Sequence, residues 1–404
     1  MIYTDEIGLL NKVLDHYKRI NVDFGSGGYR YPSASVIGFY HMTDEQLRQS
    51  HELVKDVTRA FQVLYPAVQS SEDRINEAVI GTNLLEQQKL VMKSALNDQS
   101  ISPFCYRIDA IWTGNTFKII EINPDNAGGL EDSFDLRHLY KTNSNKHSDV
   151  PIAASRLADT LLALHGPTPG RIVYTDSICQ VMASRLARIL NKLSVPAIPI
   201  HINDLREDWL DYKWIYRHFL YTDFFVHEAG DSLPAPTKEA VEHFLALSLK
   251  KSVAIYNPLS DRLLFDKRLL DPQFVSSYLP ANLLADLNRW FAASEVIDSV
   301  QAIQLKSVLT SSKVVKWARG LGGKGVYLPG MNYSGEDLSN GEWITQDYYA
   351  PEKIPVLKNG NWDINMYLVH GLFVVNGEFA GNHLRVSTNP VVNVSSGGGM
   401  IPAL

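Results

Sequence analysis

The sequence predicts an α/β fold, and three observations carry that prediction. FCYRIDAIWTGNTFKIIEIN, from Phe104 to Asn123, reads as a hairpin of two strands. Residues 166–256 alternate strand and helix patterns, the mark of a small parallel sheet. From Asn257 to the terminus, short strand-like segments dominate. At 404 residues the chain can bury a large core and form two or three domains. A net charge of -6 with no long basic run argues against nucleic acid as a partner. No apolar segment approaches the ~18 residues of a membrane span. The first twenty residues carry early acidic charge rather than a basic stretch and a cleavage site, so no leader is expected. Cys105 and Cys179, the two cysteines, fall in separate elements, which argues against a disulfide and for a reducing cytoplasm.

In chain order, helical periodicity marks residues 5–20 and 43–64, the second with a capped start at Thr43 and Gln46. Between them Phe24–Ser35 is a Gly- and Ser-rich loop carrying Arg30, and residues 72–98 read as further helix. The hairpin turns at Thr113-Gly114-Asn115. Side chains two apart share a strand face. If Trp112 pairs with Thr116, then Arg107, Asp109, Glu121 and Asn123 lie on one face, with Ile108, Ala110, Ile120 and Ile122 on the other. Two carboxylates and an amide oxygen beside an arginine suit a hard divalent cation carrying phosphate oxygens. The alternative is a half-exposed hairpin with solvated charges.

After the hairpin, residues 135–150 read as polar and irregular. A helix over 151–165, the strand RIVYTDS, a helix over 178–193 and the strand VPAIPI follow. Asp176 and Ser177 sit where α/β sheets place ligands, although such a pair also caps helices. A mixed stretch, 213–256, ends in the strand VAIY. Helical turns in LSDRLLFDKRLLD and 281–294 precede the strands SKVVKW, GKGVYLP, EWITQDYY, the meander INMYLVHGLFVVNGEFAG, and VVNVS. The absence of GxSxG, HExxH and CxxC argues against a serine hydrolase of the usual pattern and against a zinc enzyme.

Gly320, Gly322 and Gly325 formally match G-x-G-x-x-G, but a dinucleotide fingerprint must open a helix, and Val326-Tyr327-Leu328 reads as strand. Walker A fails because Gly325 follows Gly323-Lys324. What remains is a glycine turn between strands with Lys316 just before it. Such a turn lets backbone N–H groups approach phosphates closely. Downstream, GEWITQDYYAP is a strand breaking at Ala350-Pro351, and upstream Lys267 stands at the start of a helix.

These pieces resemble the ATP-grasp superfamily, over roughly residues 100–130 and 257–404. The resemblance implies ATP held between two α+β subdomains. It makes Lys267 and Lys316 the two nucleotide lysines, and Gly322, Gly323 and Gly325 the loop covering the phosphates. Gln346, Asp347 and Tyr348 become the adenine hinge, and Asp109, Glu121 and Asn123 the Mg²⁺ ligands. Glu-x-Asn precedes both lysines here, an order similar to the circularly permuted, glutathionylspermidine synthase-like members. Arg107, Asp109, Glu121, Asn123 and Asp125 match their R-x-D and E-x-N-x-D. HLRVSTNPVVNVSSGGG resembles their late segment, with Arg385 facing the γ-phosphate. Asp363-Ile364-Asn365 lacks the arginine that many relatives carry two residues after the aspartate. The implied organisation is an N-terminal helical region plus metal hairpin (1–165), a small inserted α/β domain (166–256) and an ATP-binding part (257–404). The implied activity is a carboxylate–amine ligase using ATP and Mg²⁺ on small acid and amine substrates. A kinase on the same scaffold and an inactive nucleotide-binding protein are the alternatives.

Overall fold

The computed structural model describes residues 36–79, 84–94, 103–143, 148–206, 212–225, 230–250, 253–297, 312–320, 325–330, 342–358, 361–392 and 398–404. Residues 5–20, the Phe24–Ser35 loop with Arg30, and Gly322 and Gly323 lie outside these ranges.

Among the described residues the strands are β1 (Val36–Ile37), β2 (Cys105–Trp112), β3 (Phe117–Asn123), β4 (Gly170–Tyr174), β5 (Ala197–His201), β6 (Trp214–Arg217), β7 (Ala254–Tyr256), β8 (Ser294–Ile297), β9 (Lys313–Trp317), β10 (Val326–Tyr327), β11 (Trp343–Asp347), β12 (Lys353–Lys358), β13 (Asn361–Val375), β14 (Glu378–Ser387) and β15 (Gly399–Pro402). They form three sheets. The largest is organised by β13, which pairs with β14 on one side. On the other side it serves β12 along its first half and β2 along its second. A second sheet, β10-β9-β11-β8, is antiparallel throughout. The third sheet, β5-β4-β6-β7, is wholly parallel.

The helix Asp44–Gln69 starts in a capping box between Thr43 and Gln46. Its Leu53, Val57, Phe61, Leu64 and Val68 recur at helical spacing and are buried. They share one apolar cluster with Ile108, Ala110, Ile122 and Leu372, so the apolar face of the hairpin packs inward and its polar face turns away.

Three expectations are corrected. Residues 135–150 are not irregular throughout, because Leu130–Asn143 is a helix. Its Leu130, Phe134, Leu136, Leu139 and Tyr140 are buried, and Arg185 neutralises its Asp132 and Asp135 at 2.8 and 2.7 Å. The hairpin register also differs: Trp112 pairs with Phe117, not Thr116. A bulge at Ile120 then restores the shared face, setting Asp109 opposite Glu121 and Arg107 opposite Asn123. Asp176 accepts a hydrogen bond from Cys179 N at 2.7 Å and so caps the helix Ser177–Lys192. Cys105 and Cys179 are both free thiols. Lys267 opens a short 3-10 turn, Lys267–Leu270, rather than an α-helix. Among the described residues no helix is long and apolar enough to cross a membrane.

Candidate functional site

The site is assembled where the polar face of the largest sheet meets the β10-β9-β11-β8 sheet. The hairpin itself makes the joint: Ile119 N donates to Trp290 O at 2.7 Å, and Ala292 N donates to Ile119 O at 3.3 Å. The neighbouring bulge then turns the Ile120 carbonyl to Lys316, whose Nζ reaches it at 2.8 Å.

Asp109 and Glu121 are direct cross-strand neighbours, an arrangement that is destabilising without countercharge. The site supplies that charge. Arg107 Nε donates to Asp109 Oδ1 at 2.7 Å, and Arg385 Nη2 lies 2.7 Å from Oδ2. Asn123 Nδ2 adds a bond to Oδ2 at 2.9 Å. Burial alone would raise the Asp109 pKa, but Arg107 and Arg385 outweigh it and hold the carboxyl at about 2. Arg107 also donates to Gly128 O at 2.6 Å, tying the glycine turn after β3 to the site. Glu121 pairs with Lys267 Nζ at 3.1 Å, and the same ammonium donates to Gly320 O at 2.5 Å.

Lys316 on β9 and Gln346 on β11 are diagonal neighbours, Lys316 standing opposite Ile344 and Gln346 opposite Val314, and Lys316 Nζ donates to Gln346 Oε1 at 2.7 Å. Burial pushes Lys316 down to about 8. Burial likewise lowers Arg385, and it drives His383 well below its usual value, with Arg107 and Arg385 adding to that shift.

One cavity of about 220 Å³ is lined by Arg107, Asp109, Glu121, Asn123, Lys316, Gln346, Asp347, Tyr348 and Arg385. Lys267 stands behind Glu121 outside that lining. Gly325 lies just before β10, with φ +70° and its carbonyl accepting from Trp317 N at 2.8 Å. A side chain there would put its Cβ 2.7 Å from that of Trp317. Asp125, next in the motif, turns away from the cavity: it is fully buried against Arg217 at 2.7 Å.

Sequence reasoning missed the apolar wall made by Ile111, Val314, Leu328, Tyr349, Pro351 and Val369. The signal was period two: Val314 lies two before Lys316, and Ile111 two after Asp109. It also missed Gly371, which stands opposite Asp109 in register. A Cβ there would lie 2.7 Å from both Arg107 Cδ and His383 O.

A hard cation fits part of this set. The Asn123 amide nitrogen is engaged by Asp109, which leaves its carbonyl oxygen to coordinate, and Glu121 keeps Oε2 beside the oxygen that Lys267 holds. Both residues line the cavity. Asp109 is already committed to three donor side chains.

Neither a family model nor a curated protein matches the chain. Among solved structures it is similar to a glutathione synthetase-like effector from Globodera pallida in its apo form. That likeness covers 98% of this chain and 96% of the other at 13% identity and a TM-score of 0.54, which shows a shared fold. A provisionally assigned gamma-glutamylcysteine synthetase from Methylobacillus flagellatus covers 87% and 88% at 10% identity and a TM-score of 0.44. The first likeness is to a glutathione synthetase-like protein and does not bear on the glutathionylspermidine synthase-like order that the motifs resemble.

Proposed function

We propose that the chain is an ATP-dependent ligase that joins a carboxylate to an amine through an acyl phosphate. The observation that carries this reading is the gathering of two arginines on Asp109, Lys267 on Glu121, and the buried Lys316 with Asn123, around one cavity with an apolar wall. Lys267 and Lys316 would hold the α- and β-phosphates, and the loop ending at Gly325 would cover them with backbone N–H groups. Gln346 to Tyr348 would meet the adenine edge, against Val314, Leu328 and Val369. Mg²⁺, held by Glu121 and Asn123 with Asp109 behind them, would neutralise phosphate charge during transfer. The name of the fold neighbour agrees with amide-bond formation by analogy alone.

In the first step a carboxylate oxygen attacks the γ-phosphorus and the bond to the β-bridging oxygen breaks, releasing ADP. The amine nitrogen then attacks the acyl carbon, phosphate leaves with the C–O electron pair, and the ammonium proton is lost. Arg107 and Arg385 would stabilise the acyl phosphate and the tetrahedral oxyanion. No side-chain nucleophile is required, so positioning and charge supply the rate.

Phosphate release from Mg·ATP, measured over pooled amino acids and polyamines with mass spectrometry of the products, tests the reading. Phosphate together with a product one water lighter than an acid–amine pair is expected. A product that retains the phosphate would identify a kinase instead. Nucleotide binding without turnover on any pair would leave a binding protein.

A further inference from the structure

We infer that this cavity is an anion site first and a metal site second. A nucleotide's phosphates bind it without a divalent cation, and the cation gains its site only when those phosphates are in place. This rests on the nucleotide reading proposed above and adds an order to it.

The argument begins with charge. Among the described residues Arg107 and Arg385 pair with Asp109 and Lys267 pairs with Glu121, while Lys316 lines the same cavity, so four cations meet two carboxylates and two positive charges remain in excess. Asp347, which also lines the cavity, is offset by Lys313 at 3.6 Å. Both central carboxylates are already paired with cations: Asp109 with two guanidinium groups, Glu121 with an ammonium. A free divalent cation entering here would approach those cations at contact distance, with little solvent to screen them.

The second observation is an orphan donor. Arg385 lines the cavity, and its Nε is buried with no hydrogen-bond acceptor among the described residues. Buried donors are almost always satisfied, and charged ones most strongly call for an anionic oxygen. Lys316, only 6% exposed, donates to two neutral oxygens and has no carboxylate within ion-pair distance among the described residues.

The third is ligand number. Mg²⁺ requires near-octahedral oxygen coordination and gives up its waters reluctantly. Glu121 and Asn123 offer two oxygens facing the cavity, and the Asp109 oxygens carry hydrogen bonds from three side chains. Phosphate oxygens both cancel the positive excess and supply the missing ligands.

Isothermal titration of the full chain tests the order. Mg²⁺ alone, titrated to about 10 mM, roughly tenfold above the weakest affinities of protein Ca²⁺ sites, is expected to give no saturable heat. ATP with EDTA is expected to bind within about tenfold of the Kd for Mg·ATP, and Mg²⁺ added to the preformed ATP complex is expected to give a saturable isotherm. In Arg385→Gln, metal-free ATP should bind more than about tenfold more weakly, with circular dichroism checking the fold. Saturable Mg²⁺ binding by the free chain would overturn the order, as would metal-free ATP binding more than about tenfold weaker than Mg·ATP. Both results would leave the ligase reading standing. Failure of ATP to bind in either form would remove both.

Discussion

Lys316 joins the two sheets at the level of a single atom, since its Nζ spans the Ile120 carbonyl of one and Gln346 of the other. Burial lowers it from 10.5 to about 8, and the consequences for stability and binding have opposite signs. Between these two values the unfolded chain holds a proton that the folded chain has released. Folding stability should therefore rise with pH from about 8 to 10.5, by roughly 3.5 kcal/mol at most, given ~1.4 kcal/mol per pKa unit. Nucleotide affinity should fall over the same range, because the bound phosphates favour the protonated ammonium. Chemical denaturation and ATP titration at pH 7, 8 and 9 read both trends, and Lys316→Met should flatten both. Parallel trends would assign the titration to another group. If the proposed chemistry holds, Glu121→Ala and Lys316→Ala should each cut ATP-dependent phosphate release by about 100-fold or more, at ~3 kcal/mol per lost charge contact, with circular dichroism unchanged. Near-wild-type turnover would remove that residue from the site. The four polar residues of the hairpin could be read from sequence because strand parity is local. Their exact pairing could not. The Ile120 bulge is stabilised by Lys316 and lies beside the Ile119–Trp290 joint, partners far along the chain.

At the scale of elements, β13 works by what it lacks. Gly371 faces Asp109 on one neighbour and His383 on the other, and the space beside it holds the Arg107 side chain. In Gly371→Ala the new Cβ would stand 2.7 Å from Arg107 Cδ and from a backbone oxygen that cannot rotate away. The expected cost is about 1–3 kcal/mol in denaturant unfolding, with turnover falling further than stability alone explains because Arg107 is displaced from Asp109. A stable, fully active Gly371→Ala protein would show that the sheet relaxes without moving the arginine. Nothing local in HGLFVV marks this glycine as functional, since its role depends on which strands flank β13. The helix Leu130–Asn143 was obscured for a related reason. Asp132, Asp135, Arg137 and Lys141 dilute its apolar pattern, and the buried charges become tolerable only once Arg185 packs against them from the helix Ser177–Lys192. By contrast Thr43 and Gln46 announced their helix correctly, because a capping box is complete within four residues.

Across the whole molecule, the hairpin is the piece on which the three sheets meet. Its strands belong to the largest sheet, Ile119 and Ile120 bind the antiparallel one, and the turn after β3 reaches the parallel one. That last link is the Asp125–Arg217 pair, 2.7 Å apart with neither side chain exposed. Arg217, at the end of β6, also donates to Asn257 O and Phe219 O at 2.5 Å each, so it fastens the segment leaving β7 as well. Tyr221 N donates to Asp125 Oδ2 at 3.4 Å. Replacing one member of such a pair leaves an uncompensated buried charge, which costs far more than the pair itself contributes. Asp125→Ala should therefore destabilise the chain by about 3–5 kcal/mol, read as a lower denaturant midpoint. The double variant Asp125→Ala with Arg217→Met should recover part of that loss, because the stranded guanidinium is gone. The motif's third acidic position would then act as a strut between sheets. Its single variant, where still folded, should keep a nucleotide Kd within about threefold of wild type, since the charges facing the phosphates are untouched. A folded Asp125→Ala protein that loses nucleotide binding altogether would instead place Asp125 in the site, and the turn after β3 would have to move to bring it there.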